Sequence, residues 1–256
     1  MAITKHAYPI LEHDSSQLAV LMPDHEKLNL KLPEKAVFAF LGDVIDSYAL
    51  SHGAKKVSEF ISITKVYPIY VLEYKGEEIC LCQAPMGAAA AVQLMDWLIG
   101  YGVRKIISAG YCGVMADIPE DTFLVPMKAL RDEGVSYHYL PPERFIDLDR
   151  EVLSSIEKTL TGLGIAYTEC VTWTTDGFFR ETKDMIVYRM SEGCEVIEME
   201  CSALAACAKF RGVKFGQLLF TADSLAKVDE YDERSWGHGS LEKAMGLCME
   251  VVRELP

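Results

Sequence analysis

The sequence predicts an α/β protein, a single domain with a mixed central β-sheet flanked by helices on both faces. Three observations lead there. β-rich runs of strand length alternate with stretches whose apolar residues recur at helical spacing. Hairpin-like pairs interrupt that alternation and make the sheet mixed rather than purely parallel. No Pro/Gly/Ser-rich linker, internal repeat or low-complexity tract divides the 256 residues. The chain therefore reads as one unit over 1–256, with residues 1–34 as an N-terminal extension packing on it.

Residues 1–34 are polar and irregular, with short apolar patches at YPIL and LAVLM. AVFAFLG (36–42) reads as the first strand, and a helix follows from Asp43 to about His52. YPIYVLEYKGEEICLCQAP (67–85) holds two β-rich runs around Lys75-Gly76, the signature of a hairpin. MGAAAAVQLMDWLIGYG carries apolar residues at helical spacing and stops at Gly100 or Gly102. RKIISAG (104–110) is a buried strand, and DTFLVPMKALRDEGVSYHYLPP is a long strand region broken by Pro126, which lacks the N–H a ladder needs. A helix over 149–163, a strand over 166–173 and a helix over about 182–192 come next. CEVIEMECSALAACAKF (194–210) holds another helix, VKFGQLLFTAD (213–223) a strand, and LEKAMGLCMEVVREL the last helix.

Charge and composition exclude several classes of partner. A formal net charge of −13 repels phosphate backbones and anionic lipid, so neither nucleic acid nor membrane is expected. No apolar run approaches the ~20 residues of a membrane span. The N-terminus has no basic segment leading into an apolar one, so a cytoplasmic protein is expected. The eight cysteines form no C-x-x-C pair and read as reduced core thiols rather than disulfides or a metal site.

Several local patterns carry chemistry. Met86-Gly87 and the small residues after it open a helix whose free N–H groups can hold an anion, or simply turn the chain tightly. SAGYCGVM (108–115) reads as a second glycine turn at a strand end, where ligands of α/β sheets bind. TTDGFFRET presents Phe178, able to stack on a flat ligand or to serve as core. Asp223 ends a buried strand, placed for acid–base work or for capping the next turn. Glu198 and Glu200 lie in an otherwise apolar segment. At a strand-to-helix junction Glu200 can reach inward while Glu198 serves the helix start. The small residues of CSALAACA force that helix deep into the molecule, and a carboxylate there wants hydroxyl donors such as a sugar diol. Nothing matches G-x-G-x-x-G or a Walker loop.

Together these pieces resemble the nucleoside phosphorylase-I family of purine nucleoside phosphorylases, uridine phosphorylases and related nucleosidases. The motifs are LGDVID, APMGAAAAVQLMDWLIGYGVRKIISAGYCG, LRDEGVSYHYLPP, TTDGFFRE and VIEMECSALAACAKFRGVKFGQLLFTAD. The resemblance implies a phosphorylase-type sheet, twisted to partly closed, in a homo-oligomer: a dimer, or a trimer of dimers making a hexamer. It implies that Glu200 binds the ribose hydroxyls, with Met199 beside the sugar and Glu198 lining the site. It places Phe178 on the base, Asp223 as the acid that protonates a departing purine, and Arg180 nearby. Gly42, Gly87, Gly110 and Tyr111 fall where phosphate would bind. No cofactor or metal is implied, only inorganic phosphate as co-substrate.

The sequence departs from the family at the phosphate end. An arginine of the first glycine turn is replaced by Asp46, a second by Ser108, the usual Ser or Thr by Tyr111, and a third arginine has no match around residues 55–66. Losing such contacts, each worth roughly 1.5–3 kcal/mol as charged hydrogen bonds, weakens a phosphate site severely. The first expectation is phosphorolytic cleavage of purine nucleosides in nucleotide salvage. Hydrolysis by water and a catalytically inactive nucleoside-binding protein are the alternatives. The acidic loop KVDEYDERSW (227–236), anchored by Trp236, reads as a lid or as a solvated loop.

Overall fold

Strand β5 (Lys105–Val114) organises the molecule because it has partners on both sides along its length. The computed structural model describes residues 3–256. On one side β5 pairs in parallel with β10 (Lys214–Ser224). On the other it pairs in parallel with β1 (Lys35–Ala39) and, past the end of β1, antiparallel with β9 (Val196–Glu198). β9 continues to β8 (Tyr167–Thr175), β8 to β6 (Phe123–Asp132), and β6 returns to β10. These five strands close a ring filled by Cys112, Val114, Leu124, Cys170, Val196 and Leu219. From β1 the sheet runs outward through β4 (Glu77–Gln83), β3 (Val66–Tyr74) and β2 (Lys55–Ile61), while β7 (Phe145–Asp147) pairs with β6. The partly closed mixed sheet is therefore as expected.

Helices cover both faces. α1 (Val44–Ser51), α4 (Arg150–Gly162) and α7 (Leu241–Glu254) share one side. Gly216 of β10 lets α4 approach, since a side-chain carbon there would stand 2.6 Å from Val152. α2 (Ala88–Gly100) and α6 (Cys201–Arg211) pack on one another through their small residues. Arg211 clamps the pair, donating to both oxygens of Asp96 at 2.8 and 2.9 Å, and the Tyr139 hydroxyl of the short α3 (Ser136–Tyr139) donates to the same carboxylate at 3.0 Å. α5 (Lys183–Ser191) starts on a Thr182 cap. The segment preceding β1 lies along α2 and α6: Trp97 donates to Glu26 at 2.9 Å, and Gln17 to the Phe210 carbonyl at 3.1 Å.

Three sequence expectations change. β5 does not turn at Gly110 but runs on to Val114. The glycines there serve close approach: a side-chain carbon on Gly110 would press on Phe40 at 3.3 Å, and one on Gly113 on Ile197 and Leu225 at 3.0 Å. Pro126 does not break β6. The strand absorbs it as a register shift against β8 between Pro126 and Lys128. LRDEGVSYHYLPP does not continue as strand: β6 ends at Asp132 and α3 follows, with buried Arg131 donating to Ser136 at 2.9 Å and buried Glu133 accepting from Ser202 of α6 at 2.8 Å. All eight cysteines are free and buried. Among the described residues no helix is long and apolar enough to cross a membrane, and no His/Cys/Asp/Glu group could hold a metal ion.

Candidate active site

The starts of α2 and α6 meet at one point, and the two glutamates are built around it. The VIE strand ends at Glu198 and α6 begins at Cys201, so two residues separate opposite demands. Glu198 turns inward. Its Oε1 accepts from the hydroxyls of Thr172 at 3.1 Å and Thr174 at 2.6 Å, and its Oε2 from the N–H groups of Glu200 at 2.8 Å and Cys201 at 2.6 Å. Four donors partly offset burial, which still leaves the proton affinity of this carboxylate raised. Glu198 thus anchors the start of α6, and both its oxygens are committed.

Glu200 points the other way, across to α2, where its Oε1 accepts the Gly87 N–H at 2.5 Å. Gly87 caps α2 with φ +91°, a left-handed backbone that favours glycine. The positive ends of two helices face this carboxylate. Even so, burial, and then the charge of Glu198, push its pKa up to about 8. One N–H donor leaves most of its lone pairs open.

Both glutamates border a cavity of about 370 Å³ at the carboxyl ends of β1, β4, β5 and β10. Phe178, Glu181, Asp223 and Trp236 line it, as do Met199, Gly42, Gly110 and Tyr111. Phe178 sits in a 3-10 turn (Phe178–Arg180), edge-on to Phe179 with ring centres 5.0 Å apart. Burial raises the Asp223 pKa, while the Tyr231 hydroxyl bonded to it is itself pushed to about 12 by burial and then by the Asp223 charge. Tyr231 is held there by a two-stranded bridge between Ser224 and Asp232.

Not every residue singled out from the sequence reaches the cavity. Arg180 is exposed and outside the lining. The turn carries it outward, and its neighbour Glu181 lines the wall instead. Burial, and then Asp223, raise Glu181 to about 7. Gly87 offers no N–H to an anion, because Glu200 takes it. Gly110 belongs to a strand rather than an anion-binding turn. Asp46 also lies outside the lining, near Lys65 and Tyr70, with its pKa raised chiefly by burial.

Sequence reasoning missed several lining residues, among them the polar Glu181, Lys65 and Gln217. Lys65 donates to Gln83 and is the one cationic side chain among the described lining residues, against the carboxyls of Glu181, Glu198, Glu200 and Asp223. A lysine in a polar connection and a glutamine in an apolar strand carry little local signal. The hydrophilic Gln217 between Phe215, Leu218 and Leu219 was the detectable one.

A partly closed mixed sheet with two helix starts converging on a carboxylate-lined cavity is the arrangement that the resemblance to nucleoside phosphorylases and nucleosidases leads one to expect. The family model described as phosphorylase superfamily matches residues 37–253, and the chain belongs to that superfamily. It is similar to a DeoD-type purine nucleoside phosphorylase of Bacillus cytotoxicus, 26% identical over 165 residues that make up 61% of this chain and 68% of the relative. Among solved structures, a Toxoplasma gondii purine nucleoside phosphorylase in complex with immucillin-H is 19% identical with a TM-score of 0.72, covering 88% of this chain and 91% of that one. An AMP nucleosidase from Bacteroides thetaiotaomicron is 22% identical with a TM-score of 0.70, covering 87% and 88%. At these identities the structural likeness speaks for the fold.

Proposed function

We propose that the protein cleaves the N-glycosidic bond of a purine ribonucleoside and that the acceptor is water. The carrying observation is Glu200: a buried carboxylate, held by one N–H, opening into a cavity with an aromatic wall and an acid at one end. A ribose diol supplies the hydroxyl donors such a group lacks. With the sugar on Glu200 and Met199, the base reaches Phe178 for stacking and Asp223 for protonation.

Breaking the C1′–N bond leaves the bonding pair on the base and positive charge on the sugar. Protonated Asp223 donates to the base as it departs, and burial favours that protonated form. Glu200, ionised once the ribose hydroxyls donate to it, stabilises the sugar cation from its side of the cavity, and Glu198 holds the start of α6 that carries it. Water adds to C1′, and the proton it releases restores Asp223 over the cycle. The products are free base and ribose.

The acceptor end favours water over phosphate. Among the described residues no arginine lines the cavity, and its single lysine is already bonded to Gln83. Phosphorolysis, the first expectation from sequence, keeps Lys65 and the Gly42 turn, with φ +56°, in its favour. The superfamily relatives above include both a phosphorylase and a nucleosidase by name. Inosine, adenosine, guanosine and uridine, each assayed for base release with and without phosphate, separate the readings. Phosphate-independent release yielding free ribose is expected. Strictly phosphate-dependent release would overturn the hydrolytic reading, and no release from any nucleoside would leave a binding protein.

A further inference from the structure

Gln217 at the wall of the cavity and Ser108, buried beside it in the sheet behind that wall, form a neutral polar pair whose side-chain oxygens find no partner in the fold. They are register partners on the parallel strands β10 and β5, so their side chains rise from the same face of the sheet about 5 Å apart. Gln217 is 1% exposed and Ser108 is fully buried. The Gln217 Oε1 and the Ser108 Oγ both lack a hydrogen-bond partner. Gln217 lines the cavity. The same row continues through Phe38 of β1 and Cys82 of β4, which offer these two groups no strong donor or acceptor. Leaving two such groups unpaired in the interior is unfavourable, and a bound polar molecule removes that penalty.

The pair is selective in what it accepts. An amide and a hydroxyl each offer both donor and acceptor capacity and no charge. They match a neutral molecule that can donate and accept at once, and they lack the cationic donors that hold a dianion. We infer that Gln217, backed by Ser108 on the neighbouring strand, forms a water site at the cavity wall that holds the attacking water of the glycosidic cleavage. This deepens the hydrolytic reading above and rests on it. Water held between an amide and a hydroxyl has its hydrogens engaged and a lone pair free for C1′, so less ordering remains to be done at the moment of attack.

The test uses the full-length protein and whichever nucleoside releases its base. Gln217→Leu keeps the volume and removes the amide, and Ser108→Ala removes only the hydroxyl. Both kcat and KM are measured without phosphate, and the product is also partitioned between ribose and methyl riboside in dilute methanol. In Gln217→Leu we expect kcat to fall about tenfold to a hundredfold with KM within about twofold, and methyl riboside to rise severalfold relative to ribose. Ser108→Ala should shift both in the same direction by less. A purely structural role would lower the melting temperature without moving the ribose to methyl riboside ratio. That ratio unchanged in both variants, with wild-type hydrolysis intact, overturns the water site while the hydrolytic reading stands. Wild-type release only with phosphate, or no release at all, overturns the hydrolytic reading and the water site with it.

Discussion

Glu200→Gln should flatten the pH dependence of stability, because the wild-type carboxyl is held against ionisation by its surroundings. Burial, and then Glu198, lift its pKa from the ordinary 4.5 to about 8. Below pH 4.5 the group is protonated in folded and unfolded chains alike and contributes no slope. Between pH 4.5 and about 8 the unfolded chain gives up this proton while the folded chain keeps it, so stability falls as pH rises. Above about 8 both forms are ionised and the loss is complete. At about 1.4 kcal/mol per pH unit the full loss approaches 4–5 kcal/mol, or on the order of 10 °C in melting temperature for a chain of this length. Glutamine keeps the shape and can still accept the Gly87 N–H. The difference in melting temperature, Glu200→Gln minus wild type, should therefore widen steadily from pH 5 to pH 8 in a thermal-shift series. Nucleoside should raise the wild-type melting temperature more at pH 8 than at pH 5, since the ribose hydroxyls favour the ionised carboxylate, and the variant should lose that pH trend. A gap that stays constant across the range would show that Glu200 does not titrate there and would refute the reasoning.

Glu198→Ala removes the acceptor of four hydrogen bonds at the start of α6. Chemical denaturation should show a loss of about 3–5 kcal/mol, close to that of breaking a buried charged network. Phe178→Ala should raise KM about tenfold with little change in kcat, as expected for a stacking wall worth roughly 1–1.5 kcal/mol. Asp223→Asn should lower kcat by about a hundredfold or more while nucleoside still binds, which equilibrium dialysis can check. Glu181, raised to about 7, loses its proton as pH rises through neutrality; any step in the kcat/KM profile near pH 7 should vanish in Glu181→Gln and persist in Arg180→Gln.

What the sequence disclosed and what it hid divide along physical lines. The junction at residues 194–210 was legible because a carboxylate in an apolar segment is costly and an all-small helix can only sit deep. Strands β1, β3, β4 and β10 were legible from their apolar runs. β2 was not: Lys55–Ile61 is an edge strand with a mostly exposed, charged face, so it carries no burial pattern to read. The glycines of β5 resembled a turn because local reasoning cannot see Phe40, just past β1, and Ile197 of β9 crowding them. Glu181 and Lys65 reach the cavity through the path of a turn and a connection, and that path is set by tertiary packing.

The closed ring also fixes the order in which the site comes into being. β10 seals it by fitting between β5 and β6, about 100 residues earlier in the chain. A nascent chain that has emerged only to residue 213 carries two unpaired strand edges and a split sheet, a template for wrong pairing. Contacts of such sequence separation form late, since loop closure must be met before they reward it. Gln217 and Asp223 ride on that last strand, so the Gln217 wall and the acid end of the cavity arrive together, and a partly made chain has nowhere to bind a nucleoside.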